Sequence, residues 1–155
     1  MRTGQFRPVL RLAVRAILVI DQRLLLVNGW PGGKLHLWCA PGGGVTRGTG
    51  LPENLRREMA EETGLDVDCG PLALVNEFHD PDSGFHQVEL FFRVRHLGGT
   101  LTEGHRDPEG IVTERRFFSA SEIADLRIKP DSLPMVAFDA WDAPARYDAL
   151  ERMVR

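Results

Sequence analysis

A chain of 155 residues with 43% hydrophobic and 26% charged content fits one globular domain, residues 1–155, with its own core, and calls for no second domain. Its net charge of −3 provides no basic face for a general grip on nucleic acid, although a local basic pocket is compatible with it. Its two isolated cysteines, Cys39 and Cys69, exclude a disulfide framework, lack close partners for zinc, and read as reduced, buried thiols.

From Leu10 the residues Leu10, Leu12, Val14, Ala16 and Leu18 alternate with a second set that includes Arg11 and Arg15, predicting a strand with one face fully buried. The same arginines interrupt any signal-peptide core, and no segment approaches the ~18 apolar residues of a membrane span. A cytoplasmic protein with no membrane partner is expected. Asp21-Gln22 predicts a hairpin turn into a strand over 23–27, followed by a loop over 28–34. A short strand over 36–40, with Trp38 as a core anchor, leads into Pro41-Gly42-Gly43-Gly44. Glycine clusters at 29–33, 42–50 and 98–104 read as loops. A helix should begin near Leu51 or Pro52, because proline is tolerated in a first turn and Glu53 suits the positive end of the dipole. It should stop at Gly64, in a left-handed turn that lets Leu65 pack back.

Near the end of this helix stand Arg57, Glu58, Glu61 and Glu62. At about 100° per residue they fall within one sector, with Glu58/Glu61 and Glu58/Glu62 as i,i+3 and i,i+4 neighbours. A Glu- and Arg-rich helix is by itself an ordinary solvated face. On a partly buried face, however, carboxylates so placed repel unless a hard cation neutralises them, and Mg²⁺ or Mn²⁺ with oxygen ligands suits them. Residues 43–65 resemble the signature of the Nudix hydrolase family, Gly-x5-Glu-x7-Arg-Glu-U-x-Glu-Glu-x-Gly-U, where U is bulky and apolar. Gly43, Arg57, Glu58, Met59, Glu61, Glu62, Gly64 and Leu65 occupy its positions. One position departs: Thr49 stands where the first signature glutamate belongs. Thr46 likewise replaces an acidic residue common in the family.

Beyond the helix, strands are predicted over 72–78 and 88–95, the second with Val88, Leu90, Phe92 and Val94 on one face, flanking a turn over 79–84. A loop over 98–110 carries Glu103, His105, Asp107 and Glu109 ahead of a short strand over 112–118. Ser119-Ala120-Ser121-Glu122 is a capping-box pattern opening a helix toward Leu126. Pro130 and Pro134 bracket a turn, and an amphipathic helical region follows from about Met135 to residue 154, broken near Pro144. Phe138 and Trp141 fit a homodimer interface and packing across the chain's own sheet equally well. Strands mixed with helices in this order predict an α/β fold, an α/β/α sandwich with a mixed sheet, which the resemblance also implies.

The resemblance further implies metal-dependent hydrolysis of a phosphoanhydride in a small-molecule nucleotide substrate. It implies Glu58, Glu61, Glu62 and the carbonyl of Gly42 as ligands to Mg²⁺ or Mn²⁺, with Arg57 holding Glu61 in its ligating rotamer. The general base is either a glutamate of the motif, Glu61 or Glu62, or an acid from a later loop. Glu114 resembles that later acid, and Glu103 and Glu109 are placed to reach the same cleft. Thr49 is expected to weaken metal organisation without abolishing catalysis, with Glu53 as a compensating acid. A slow Nudix-fold nucleotide-binding regulator is the alternative. Pro81, sixteen residues after Leu65, resembles a feature of the ADP-ribose-cleaving branch, whereas Asp82 and Ser83 stand where a tyrosine would indicate dinucleoside polyphosphates. ADP-ribose or a nucleotide sugar is therefore favoured over nucleoside triphosphate pyrophosphohydrolysis. His79, Phe85 and His86 fit either base recognition or the polar end of an ordinary hairpin.

Overall fold

The computed structural model describes residues 10–28, 37–102, 105–108, 110 and 112–153. The alternation that begins at Leu10 forms β1 (Leu10–Ile17), exposed at Leu10 and Leu12 but burying Ala13, Val14, Ala16 and Ile17 further along. Asp21 and Gln22, both with positive φ, form the expected turn between β2 (Val19–Ile20) and β3 (Arg23–Asn28). Next comes β4 (Leu37–Cys39), the part of the expected 36–40 strand that falls among the described residues; His36 lies outside them. Its Trp38 packs edge-on against Phe118 with ring centroids 4.9 Å apart, a core anchor as expected.

The glycines expected to form a loop instead make β5 (Gly42–Gly44), antiparallel to β1 with Val14 opposite Gly43. The approach is so close that a Cβ on Gly42 would lie 1.9 Å from the Val14 carbonyl oxygen. Only glycine backbone fits there. Following it, α1 (Leu51–Thr63) has Pro52 in its first turn and ends at Gly64, whose φ of 74° and N–H bond to the Ala60 carbonyl make the left-handed cap. Leu55 and Met59 of α1 pack with Val14, Ala16, Leu18 and Val94, and Leu65 folds back into the same cluster.

β6 (Asp66–Asp80) and β7 (Phe85–Gly98) form one antiparallel hairpin, longer at both ends than the apolar pattern indicates. Register shifts between Cys69 and Leu74 carry the ladder past Gly70-Pro71, where the alternation breaks. β8 (Arg115–Ser119) pairs with β3, so residues 112–114 precede the strand rather than belong to it. The capping box is present: the Ser119 hydroxyl and the Glu122 carboxylate each accept the other's backbone N–H at the start of α2 (Ala120–Ile123). β9 (Arg127–Ile128) then pairs with β4, and α3 (Leu133–Ala137) carries Pro134 in its first turn.

The long helical region expected beyond Met135 does not form. α3 stops at Ala137, and the chain continues as β10 (Arg146–Tyr147) and β11 (Glu151–Arg152), both parallel to β6. The Asp148 N–H reaches the Val75 carbonyl at 2.9 Å and the Met153 N–H reaches the His79 carbonyl at 2.8 Å. An edge as long as that of β6 leaves backbone groups to be satisfied, and the tail satisfies them.

One sheet runs β10-β6-β7-β1-β5, with β11 also on β6; the other runs β2-β3-β4-β9, with β8 on β3. β1 and β7 are parallel and their other neighbours antiparallel, so the sheet is mixed. α1 closes one core, while α2 and α3 close the other through Ile123, Leu133 and Val136 against Leu24, Leu26 and Phe91. This is the expected α/β/α sandwich. No described helix is long and apolar enough to cross a membrane. Cys39 and Cys69 are free thiols, half-buried rather than buried.

Candidate active site

The helical period of α1 places Glu58 and Glu62 on the same buried face as Leu55 and Met59, directly above the glycines of β5. The Gly42 N–H donates to Glu62 Oε2 at 2.9 Å, and a Cβ on Gly43 would stand 2.6 Å from the Glu58 carboxyl group. Glycine at 43 therefore leaves room for a carboxylate. Glu58, Glu61, Glu62, Arg57 and Gly42 line one cavity of about 540 Å³, with Arg11 and Arg15 also on its wall. The structure thus brings together the motif residues singled out from the sequence.

Burial is the main force on Glu62 and pushes its carboxyl up to about 7; Arg15 and the Gly42 N–H pull it down, while Glu58 and Asp107 push it further up. Arg57 leans on Glu58 at 3.4 Å and on Glu61 at 3.9 Å. Among the described residues no three His, Cys, Asp or Glu side chains are gathered into a metal cluster. The donors on the cavity wall nonetheless match a hard divalent cation: they are carboxylates, and the glycine floor keeps clear the space that a Cβ would fill.

Several contributors were not singled out from the sequence. Arg15 points inward from β1, pairs with Glu89 at 2.6 Å and donates to the Ala40 carbonyl at 3.2 Å. Burial works against its charge, but Glu89, foremost, with Cys39 and Glu62, raises its pKa above the ordinary arginine value. The available signal was a single charge within the otherwise apolar run Ala13 to Ile17. His105 Nε2 bonds the Glu61 carbonyl at 2.8 Å, and Arg115 donates to the Glu62 carbonyl and, at 3.2 Å, to that of His105. Together they satisfy carbonyls that the last turn of α1 leaves open.

Glu114 is elsewhere. It is exposed and lines a neighbouring cavity with Trp38, Leu101 and Arg116. The Asn28 side chain accepts its N–H at 2.9 Å, and its carbonyl accepts the Asn28 N–H at 3.2 Å. That pairing sets the entry to β8, with the Glu114 carboxylate off the wall of the motif cavity. Glu103 and Glu109 lie outside the described residues. Glu53 is exposed and does not line the cavity.

A second cavity of about 250 Å³ shares Arg11, Arg15 and Cys39 with the first and adds Phe78, Phe85 and Asn76. Of the hairpin residues considered for base recognition, Phe85 lines it, whereas His79 and His86 do not. Pro81 opens a turn held by the Asp80 carboxylate, which accepts the Asp82 N–H at 3.1 Å and the Ser83 hydroxyl at 2.8 Å.

The sequence profile of the NUDIX domain matches residues 9–138. The chain belongs to the Nudix family. This Nudix chain is 30% identical over 127 residues to an ADP-ribose pyrophosphatase of Methanocaldococcus jannaschii, a match covering 82% of the chain and 66% of that relative's length. Its fold is similar to that of a MutT NUDIX hydrolase from Burkholderia pseudomallei, with a TM-score of 0.69 at 19% identity over 84% of this chain and 99% of that one. An ADP-ribose pyrophosphatase from Streptococcus suis gives a TM-score of 0.65 at 20% identity, over 95% and 100% of the respective chains. At these identities the structural likeness speaks for the fold. In the Nudix chain Trp141 lies over Gly70 of its own sheet, with the Arg95 guanidinium 4.1 Å from its ring centroid.

Proposed function

We propose that this protein hydrolyses a phosphoanhydride bond in a nucleoside diphosphate linked to another group, with ADP-ribose or a nucleotide sugar as the substrate class. The observation that carries this reading is that two adjacent cavities have Arg11, Arg15 and Cys39 in common on their walls. Carboxylates and bare glycine backbone suit a diphosphate with its cation, and Phe78 and Phe85 suit the organic group attached to it. The similarity to the Methanocaldococcus ADP-ribose pyrophosphatase supports the same class.

Glu58, Glu61 and Glu62, with the Gly42 carbonyl, would hold Mg²⁺ or Mn²⁺. Such a cation, when bound, offsets phosphate charge and makes water more acidic. Arg15, held by Glu89, and Arg11, held by Gln87, line the same cavity and would supply positive charge to the phosphate oxygens. Arg57 keeps Glu58 and Glu61 oriented. Glu61 has the more exposed side chain of that pair, at 34% against 10% for Glu58, and it takes the proton from the attacking water. The free thiols of Cys39 and Cys69 support a reducing, cytoplasmic setting.

The test is a turnover screen with Mg²⁺ or Mn²⁺ over ADP-ribose, nucleotide sugars, dinucleoside polyphosphates and nucleoside triphosphates. Release of nucleoside monophosphate from the first two classes, lost in Glu61→Gln and Glu62→Gln, is the expected result. Full activity in both variants would sink the assignment, and preferential pyrophosphate release from triphosphates would replace the substrate class.

A further inference from the structure

We propose that Asn54 is a positioning residue that aims Arg57, and through it Glu58 and Glu61, in a loop where Thr46 and Thr49 supply no carboxylate. Asn54 sits in the first turns of α1 and is fully buried. Its Oδ1 accepts the Thr46 N–H at 2.9 Å and Arg57 Nη2 at 3.2 Å. Its Nδ2 donates to the Thr49 carbonyl at 3.0 Å and to the Gly50 carbonyl at 2.7 Å. All of its hydrogen-bonding capacity is used, and two donors facing two carbonyls leave the amide a single orientation.

This one side chain ties the turn after β5 to the start of the helix and to the arginine of the motif. Arg57 has a 41% exposed side chain, and an arginine so exposed has many rotamers available. Asn54 Oδ1 and, also at 3.2 Å, Thr46 Oγ1 anchor its guanidinium on one side, which directs it at Glu58 and Glu61 on the other. Both anchors are neutral. They hold the guanidinium in place by hydrogen bonds, while Glu58 and Glu61 take its ion pairs. Glu53, the adjacent acid, is exposed and does not line the cavity.

The inference rests on the reading that Glu58 and Glu61 hold a divalent cation, so its test reads metal binding apart from turnover. Mn²⁺ alone is titrated into wild type, Asn54→Ala, Asn54→Asp, Arg57→Ala and the Asn54→Ala/Arg57→Ala double variant, with free Mn²⁺ followed by electron paramagnetic resonance. Melting temperatures are recorded in chelator, and the titrations are run where every variant is folded.

Asn54→Ala should lose about tenfold or more in Mn²⁺ affinity, the range expected for a group that orients ligands without touching metal. Adding it to Arg57→Ala should cost nothing further, because both act through the same guanidinium. Asn54→Asp keeps the acceptor for Arg57 but removes the donors to Thr49 and Gly50. It should melt lower than wild type yet hold Mn²⁺ within about threefold of wild type. Unchanged affinity in Asn54→Ala, additive losses in the double variant, or an Asn54→Asp as weak as Asn54→Ala would each overturn the proposal. Failure of the wild type itself to bind Mn²⁺ would overturn the metal reading together with it, which separates the two failures.

Discussion

Replacing Glu62 by glutamine should make the metal-free protein more stable while removing its activity. Glutamine retains an oxygen for the Gly42 N–H at 2.9 Å, so the tie between β5 and α1 survives. What disappears is a charge whose pKa burial has lifted from 4.5 to about 7. Between those two values the folded carboxyl keeps a proton that the unfolded chain has lost. Metal-free stability therefore falls as pH rises across that window and levels off above it. Holding Glu62 ionised at pH 8 costs the fold about 3 kcal/mol by this relation. That figure already includes the attraction of Arg15, but the glutamine brings a buried amide whose donors need partners, so the net gain should be nearer ~1–2 kcal/mol, or about 3–6 °C in melting temperature. The assay is thermal unfolding of both proteins in chelator at pH 5 and pH 8, repeated with saturating Mg²⁺. The variant should melt above wild type at pH 8, show a flatter pH dependence, and gain less from Mg²⁺. A variant that melts at or below wild type at pH 8 in chelator, or that follows the same pH slope, would refute the assignment of a destabilising buried charge to Glu62.

Gly43→Ala puts a Cβ against the end of the Glu58 side chain, which can yield, so the protein should fold with a melting temperature within a few degrees of wild type while kcat falls about tenfold or more. Arg15→Met leaves Glu89 largely buried without its partner and should cost about 3 kcal/mol in denaturant unfolding; adding Glu89→Gln should recover part of it, and absence of recovery would count against the pair. Glu114→Gln should keep kcat within about threefold, because the side chain faces a neighbouring cavity, and a collapse in steady-state turnover would return it to the catalytic set.

The features that the sequence by itself determined are those specified over one or two helical turns. The sector shared by Arg57, Glu58, Glu61 and Glu62, the end of α1 at Gly64, the Asp21-Gln22 hairpin and the Ser119–Glu122 capping box all depend on neighbours within a few residues, and all are present. Tertiary structure decided the rest. Residues 42–44 read as a loop because glycines carry no alternation, yet β1 recruits them as a strand. The tail beyond Met135 carries a helical pattern, but the open edge of β6, formed some seventy residues earlier, takes its hydrogen bonds. The same distance explains the site residues. Arg15 and Arg115 look like ordinary polar residues until partners elsewhere in the chain surround them, and the distant Asn28 sets the strand entry that places Glu114 on a neighbouring cavity. Local periodicity records which residues share a face; which face meets which depends on long-range pairing, and that is settled only when the backbone groups and buried charges of distant segments satisfy one another.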